Sequence, residues 1–440
     1  MITRREALKL SAVAGGGAVA SQVIPRLLRG DERRRASSGA PPNPAKASDA
    51  SESSVGAEAA PGQQRSTEKR TGDRILVVIE LAGGNDGLNT VVPHNDPAYR
   101  RLRTETALDE KDLVSFTDDF ALNPSLQRLA TRGVAVIGGV GVANPDGSHF
   151  EMQRRWASAD VDGKSSPTTG FLGRMADIVG NKDAPAVALG LGSGSSPALV
   201  SKWAPSVSIR SINSAEMFLP NRDDAMLTAF QQGFRRMSST AAPKGAKGLR
   251  ADVGSGMVLA LRTAGLVAED GDENDDELPG SDLGRSLASG LRLLRKPELG
   301  LRIVHITHDG FDTHSNTKDQ QGQRLAEFDE AVDGFLAAAE RRGLGGRVVV
   351  ATTSEFGRRA KDNGSNGLDH GAASVALLMG AVNPGLHSDY SSLTKLDSDD
   401  NLIATVMMDR YLATLGSWLG IDHADIFSAR SKPIDGVFRT

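Results

Sequence analysis

Short runs of consecutive apolar residues alternate along the chain with longer stretches in which apolar positions recur every three or four residues. Ile75 to Leu81, Val134 to Ile137, Ile303 to Thr307 and Val348 to Thr352 have the near-continuous Val/Ile/Leu character of strands covered on both faces. Between them, Gln323 to Arg342 places Leu325, Phe328, Val332, Phe335, Leu336 and Ala339 on one helical face. Leu402 to Leu419 repeats the pattern with Val406, Met407, Tyr411, Leu415 and Trp418. Strand and helix in alternation predict an α/β fold with a mostly parallel central sheet and helices on both faces.

The pattern lapses in two places. From about Ser193 to Leu301 polar loops, an acidic run from Glu269 to Glu277 and helical pieces around Arg250 to Leu266 and Leu283 to Leu294 predict an insertion or cap. The acidic run lacks the alternating Asp/Asn spacing and glycine of a calcium loop, so it reads as solvated. From Arg26 to about Arg70 the chain is rich in Ser, Ala, Pro, Gly and charge and poor in large apolar residues, the composition of a disordered tether. Its arginine triplet Arg33 to Arg35 lies beside Asp31 and Glu32 and reads as a solvated charge run rather than a lipid-binding patch.

Ahead of the tether, Arg4 and Arg5 precede a weakly apolar run from Leu10 to Ala20, with three glycines at Gly15 to Gly17 and Ala18-Val19-Ala20 as a small-residue cleavage site. This is the pattern of a twin-arginine export signal, too short to remain as a membrane anchor. The expected organisation is therefore a signal peptide over 1–25, a tether over 26–73 and one α/β domain over 74–440 with its insertion around 193–301. The expected location is periplasmic, cell-surface or secreted, with the twin-arginine translocase as the export partner and no transmembrane anchor in the mature form. A net charge of −4 gives no reason to expect nucleic acid, and the absence of cysteine excludes disulfides, thiolate metal sites and a cysteine nucleophile.

Three of the strand candidates run directly into turns that carry carboxylate or histidine. These are Gly83-Gly84-Asn85-Asp86-Gly87, Gly310-Phe311-Asp312-Thr313-His314 and Ser354-Glu355-Phe356-Gly357-Arg358. In an open α/β sheet ligands bind beyond the carboxyl ends of the strands, so the three clusters are expected to converge. A fourth, Asp369-His370-Gly371, precedes the apolar run Val375 to Met379 and enters the same crevice. Asp86, Asp312, His314, Glu355 and His370 then offer oxygen and imidazole donors without sulfur, a set suited to one or two divalent ions such as zinc, manganese or magnesium. Plainer roles remain open: a turn residue for Asp86, a helix cap for Asp312 to His314, and an ion pair with Arg358 for Glu355. Ser148, in Gly147-Ser148-His149-Phe150-Glu151, is the candidate nucleophile and equally a capping-box residue for a helix from His149 to Ala159. Arg358 and Asn85 are candidate donors to developing negative charge.

With these clusters in place, the chain resembles the domain of unknown function 1501 family, mostly twin-arginine-exported bacterial proteins related to the alkaline phosphatase and sulfatase superfamily. The resemblance runs from Ile75 to Trp418 through the four clusters above, Ser148-His149-Phe150 with Trp156, Gly170-Phe171-Leu172-Gly173-Arg174 and Trp418-Leu419-Gly420. It implies an alkaline phosphatase-like sheet, two metals and a Ser or Thr nucleophile at a helix start. Carried over by position, Asp86 resembles the ligand after the first strand and Ser148 the nucleophile. Asp312 and His314 resemble a second ligand pair, Glu355 a third-strand carboxylate and His370 the final histidine. Phe356 departs from the pattern by standing where the superfamily has a histidine ligand, and the Asp312 to His314 spacing is tighter than usual. The loss of an imidazole implies a harder, oxygen-biased site that favours magnesium, manganese or calcium over zinc. The expected activity is hydrolysis of a phosphate or sulfate ester on a small molecule or glycan. The alternative is a non-catalytic binding or structural protein that keeps the fold and one metal.

Overall fold

The computed structural model describes residues 74–165, 167–181, 184–192, 195–209, 278–427 and 431–439, with scattered positions between 232 and 263. The export signal, the tether, most of the Arg250 to Leu266 piece and all of the acidic run lie outside the described residues. Among the described residues no helix is long and apolar enough to cross a membrane.

In chain order the strands are β1 (Ile75–Ala82), β2 (Val91–Val92), β3 (Val114–Ser115), β4 (Ala121–Leu122), β5 (Ala135–Gly141), β6 (Ala188–Leu191) and β7 (Ser206–Ile209). They continue with β8 (Ile303–Asp309), β9 (Val348–Thr353), β10 (Ser374–Gly380), β11 (Gly385–Leu386) and β12 (Val406–Met407). The helices are α1 (Gly87–Thr90), α2 (Pro97–Leu102), α3 (Gln127–Arg132), α4 (His149–Ser158), α5 (Phe171–Val179), α6 (Asp282–Leu294), α7 (Thr317–Arg341) and α8 (Met408–Trp418).

Nine strands form the central sheet in the order β11-β5-β10-β9-β1-β8-β6-β7, with β12 also paired to β5. The block β9-β1-β8-β6-β7 is parallel throughout, and β10 runs antiparallel to both β9 and β5. A small sheet, β2-β4-β3, lies beside the first loop.

Alternation along β1 explains why helices cover both faces. Ile75, Val77, Ile79 and Leu81 point to one side, where Leu325, Phe328, Val332 and Phe335 of α7 and Leu287 and Leu291 of α6 fill the core. Leu76 and Val78 point to the other, against Met152 of α4, Leu172 and Met175 of α5 and Tyr411, Leu415 and Trp418 of α8. Each fully buried large side chain contributes about 1.5–3 kcal/mol, so a strand covered on both faces holds its register firmly. Trp418 closes the layer at the amino end of β1, donating its indole N–H to the Ile75 carbonyl at 2.8 Å.

Two expectations change in detail. The apolar period from Leu402 onward does not start a helix: Val406 and Met407 pair with Val140 and Gly141 as β12, and α8 begins at Met408. The stretch read as an insertion contributes to the main body at both described ends. β7 is the edge strand of the sheet, and α6 buries Leu283, Leu287, Leu291 and Leu293 beside β8 and β6. The long polar middle of that stretch had masked a strand of only four residues, Ser206–Ile209.

Candidate metal centre

Because β8, β1 and β9 are adjacent and parallel, their carboxyl ends deliver three loops to one place. Gly83 permits a close crossing of the first two loops. It has φ +117°, and a Cβ there would lie 2.3 Å from the Asp312 backbone nitrogen.

Arg358 ties the loops together from beneath and is only 1% exposed. Its Nε donates to the Gly84 carbonyl at 2.9 Å and its Nη1 to the Leu368 carbonyl at 3.1 Å. Nη2 donates to the carbonyls of Gly83 and Phe311 and to Asp312 Oδ1, the last at 2.7 Å. Arg358 therefore acts as an internal fastener that fixes the Asp312 carboxylate. Its backbone also bridges that of His370, which brings the fourth cluster alongside.

Asp312, His314 and His370 come together as the sequence clusters predicted. His314 Nε2 and His370 Nε2 are 2.9 Å apart, and they lie 3.0 and 3.2 Å from Asp312 Oδ1. A third imidazole, His149 at the start of α4, approaches Asp312 Oδ2 with its Nε2 at 3.5 Å. Ligand atoms of His149, Asp312 and His370 all lie within 4.8 Å of one another, a candidate His/Asp metal site.

The three rings share one orientation. His149 turns Nδ1 to Glu355 Oε1 at 2.9 Å, His370 turns Nδ1 to the Gly147 carbonyl at 2.8 Å, and His314 turns Nδ1 to Asp369 Oδ1 at 3.5 Å. Each Nδ1 thus faces an oxygen acceptor and each Nε2 faces Asp312, the arrangement of metal-binding histidines held by an outer acceptor. Burial pushes the Asp312 carboxyl up. The hydrogen bond and charge of Arg358, with His370 and His314 adding to them, outweigh this and lower it to about 2.

The remaining predicted residues lie around this cluster in other roles. Asp86 is fully buried and spends both oxygens on the Arg103 guanidinium, at 2.7 and 2.8 Å. Asn85 is buried as well, its Oδ1 accepting from Thr90 Oγ1 at 2.8 Å. Glu355 stands one layer behind His149. Its Oε1 accepts from Gly83 N at 2.8 Å and from Gln153 Nε2 at 3.3 Å, while its buried Oε2 has no hydrogen-bond partner. Ser148 is exposed and caps α4, its Oγ accepting from Glu151 N at 3.5 Å. Its chain neighbours Gly147 and His149 both touch the cluster.

His149 is the residue that sequence reasoning passed over. As the first helical residue after a cap it reads as ordinary; the available signal was an imidazole beside the candidate nucleophile. It also revises the oxygen-biased site expected from Phe356. The Phe356 ring is 2% exposed and packs 4.9 Å from His149 and 4.7 Å from His370, so an imidazole from α4 stands beside position 356.

An α/β sheet flanked by helices, with a His/Asp cluster at its carboxyl edge, is the class that the fold and site define. Residues 141–433 match the family described as "Protein of unknown function (DUF1501)", and the chain belongs to that family. No curated protein matches it. Solved structures similar to it include the lipoteichoic acid synthase LtaP from Listeria monocytogenes, at 10% identity and TM-score 0.38 over 84% of this chain and 77% of that one. The C-terminal periplasmic domain of EcEptC from Escherichia coli matches at 8% identity and TM-score 0.37, over 82% and 87%. Thermus thermophilus alkaline phosphatase matches at 13% identity and TM-score 0.28, over 68% and 64%.

Proposed function

We propose that this chain is an exported, metal-dependent hydrolase of phosphate or sulfate esters carried on a small molecule or glycan. The observation that carries the proposal is the common orientation of His149, His314 and His370, each with Nδ1 on an oxygen acceptor and Nε2 toward Asp312. The donor atoms fit a cation. Ligands about 2.0–2.1 Å from a tetrahedral ion stand roughly 3.3 Å apart, close to the 2.9 to 3.2 Å separations among His314, His370 and Asp312. A donor set rich in imidazole favours zinc over magnesium or calcium.

A bound cation supplies Lewis-acid polarisation of a phosphoryl or sulfuryl oxygen. The chain's residues supply the rest. Arg358 and the outer acceptors Glu355, Asp369 and Gly147 hold the donors still. Ser148 presents its hydroxyl at the amino end of α4, where backbone amides favour an anion. Attack by Ser148 Oγ, its proton passing to solvent, forms the bond to phosphorus or sulfur as the bond to the leaving oxygen breaks and that oxygen is protonated; water then cleaves the seryl ester, restoring the hydroxyl and releasing phosphate or sulfate. Arg4, Arg5 and the apolar run after them support export through the twin-arginine translocase to the periplasm, cell surface or medium.

The test is elemental analysis together with hydrolysis of p-nitrophenyl phosphate and p-nitrophenyl sulfate by forms loaded with zinc, manganese, magnesium or calcium. Bound cation at roughly one equivalent or more is expected. At least one ester should be cleaved, with a loss of at least about a hundredfold in Ser148→Ala at unchanged fold. If no loaded form cleaves either ester, the proposal fails. A second reading, a binding protein without catalysis, is favoured by Phe356, whose hydrocarbon ring packs against two of the imidazoles. It predicts cation binding that raises the melting temperature equally in wild type and Ser148→Ala.

A further inference from the structure

Next to the cluster, one face of the sheet changes character along its length. On this face Leu76 and Val78 of β1, Ile303 of β8, and Val349 and Ala351 of β9 are packed in hydrocarbon. The same alternation then delivers Glu80, His305, Thr307 and Thr353. Polar side chains at core-facing positions need polar company. Here they floor a cavity of about 500 Å³ whose roof is α4, through Phe150, Gln153 and Trp156. Gln153 belongs to both places, since its Nε2 also donates to the Glu355 oxygen that holds His149.

The lining selects against an anion. Glu80 and Asp309 bring negative charge. Among the described lining residues the permanent cation is Arg154, and its guanidinium is spent on Glu151 at 2.7 and 2.8 Å, Asp160 at 2.8 Å and the Ser165 carbonyl at 3.0 Å. A compact ammonium is a poorer match than a neutral group. Glu80 Oε2 already faces His305 Nε2 at 3.4 Å, and an ammonium would leave the Gln153 amide and the threonine hydroxyls idle. The remaining character is that of many neutral donors and acceptors, carboxylates able to accept from hydroxyls, and an aromatic ring at the rim. Phe150 is 88% exposed and lines the cavity, which leaves its ring face open to a ligand.

We infer that this cavity binds the sugar portion of the substrate, a neutral polyhydroxylated ring, and so sets which ester reaches the His/Asp cluster. The inference rests on the hydrolase reading above. Glu80 and Asp309 accept hydrogen bonds from the hydroxyls, Gln153 and the threonines complete the polar contacts, and Phe150 covers one face of the ring.

The metal-loaded protein is assayed with the 6-phosphates and 6-sulfates of glucose, galactose and mannose, with phenyl phosphate and phenyl sulfate, and with phosphoethanolamine. At least one hexose ester is expected to exceed the matching phenyl ester in kcat/KM by about tenfold or more. That ratio should fall about tenfold in Phe150→Ala and in Glu80→Gln, through KM. Phenyl esters cleaved as well as hexose esters, with both variants changing the two series alike, overturn the inference, and so does a preference for phosphoethanolamine lost in Glu80→Gln. If no ester is cleaved, the hydrolase reading fails separately, and the cavity is tested by titrating the methyl glycosides of the same hexoses while following tryptophan fluorescence. A saturable change that Trp156→Phe removes and Phe150→Ala weakens upholds the sugar site, and no change in wild type overturns it.

Discussion

Asp86 and Asp312 occupy similar places, on the loops that leave the neighbouring parallel strands β1 and β8, and each faces a buried arginine. Arg103 grips both oxygens of Asp86, and the two side chains are 0% and 1% exposed. Arg358 takes only Oδ1 of Asp312, whose side chain is 48% exposed, and leaves Oδ2 toward His149. The arginines differ in what else they hold. Arg103 adds the carbonyls of Ala360 and Arg359 and seals its carboxylate inside, whereas Arg358 spends most of its donors on four loop carbonyls and reaches Asp312 with one nitrogen. A strand-end carboxylate becomes a candidate ligand only when its cation leaves part of it uncovered.

The largest effect should come from breaking the sealed pair. Arg103→Leu leaves Asp86 as an uncompensated buried carboxylate and should cost about 3–5 kcal/mol in urea unfolding. A loss below about 1 kcal/mol would mean that water reaches Asp86 and the two carboxylates are less different than described. The open pair is sharpened by Glu355→Gln, which weakens the acceptor that orients His149. Cation affinity, measured by competition with a chelator, should fall about 10- to 100-fold. Unchanged affinity would remove Glu355 from any role behind His149.

The mildest test concerns His308, four residues before Asp312. Its ring packs 5.4 Å from Phe311 and its Nε2 is 3.0 Å from the Arg324 carbonyl. Burial lowers its pKa below the ordinary 6.5, with the Arg324 hydrogen bond opposing. The unfolded chain thus binds a proton more readily, so this contribution to stability is complete above pH 6.5 and declines as pH falls toward the folded value. One proton limits the slope to about 1.4 kcal/mol per pH unit. Melting temperatures between pH 5 and 7.5 should show the decline in wild type and a flatter profile in His308→Gln; parallel profiles would assign it elsewhere.

The long strands were legible because Ile75 to Leu81 and Val348 to Thr352 are covered on both faces, which leaves no polar positions to blur the run. Short strands such as β12, with two residues, and β6, Ala-Leu-Gly-Leu, carry too few apolar positions to show a period. Strand ends located Asp312, His314 and His370. They could not sort Asp86 from Asp312, because the deciding partners, Arg103 and Arg358, act through tertiary contacts that no local pattern records. His149 was hidden for the same reason, reaching the cluster from a helix rather than from a strand end.

The sheet order also bears on how the molecule assembles. β1 lies in the middle of the parallel block, yet its two partners begin only at Ile303 and Val348. The first of the described strands to be synthesised therefore waits more than two hundred residues for a partner, and its apolar residues stay exposed while most of the chain is made. Contacts so distant in sequence make folding slow, and they leave Ile75–Ala82 in need of chaperone cover during synthesis.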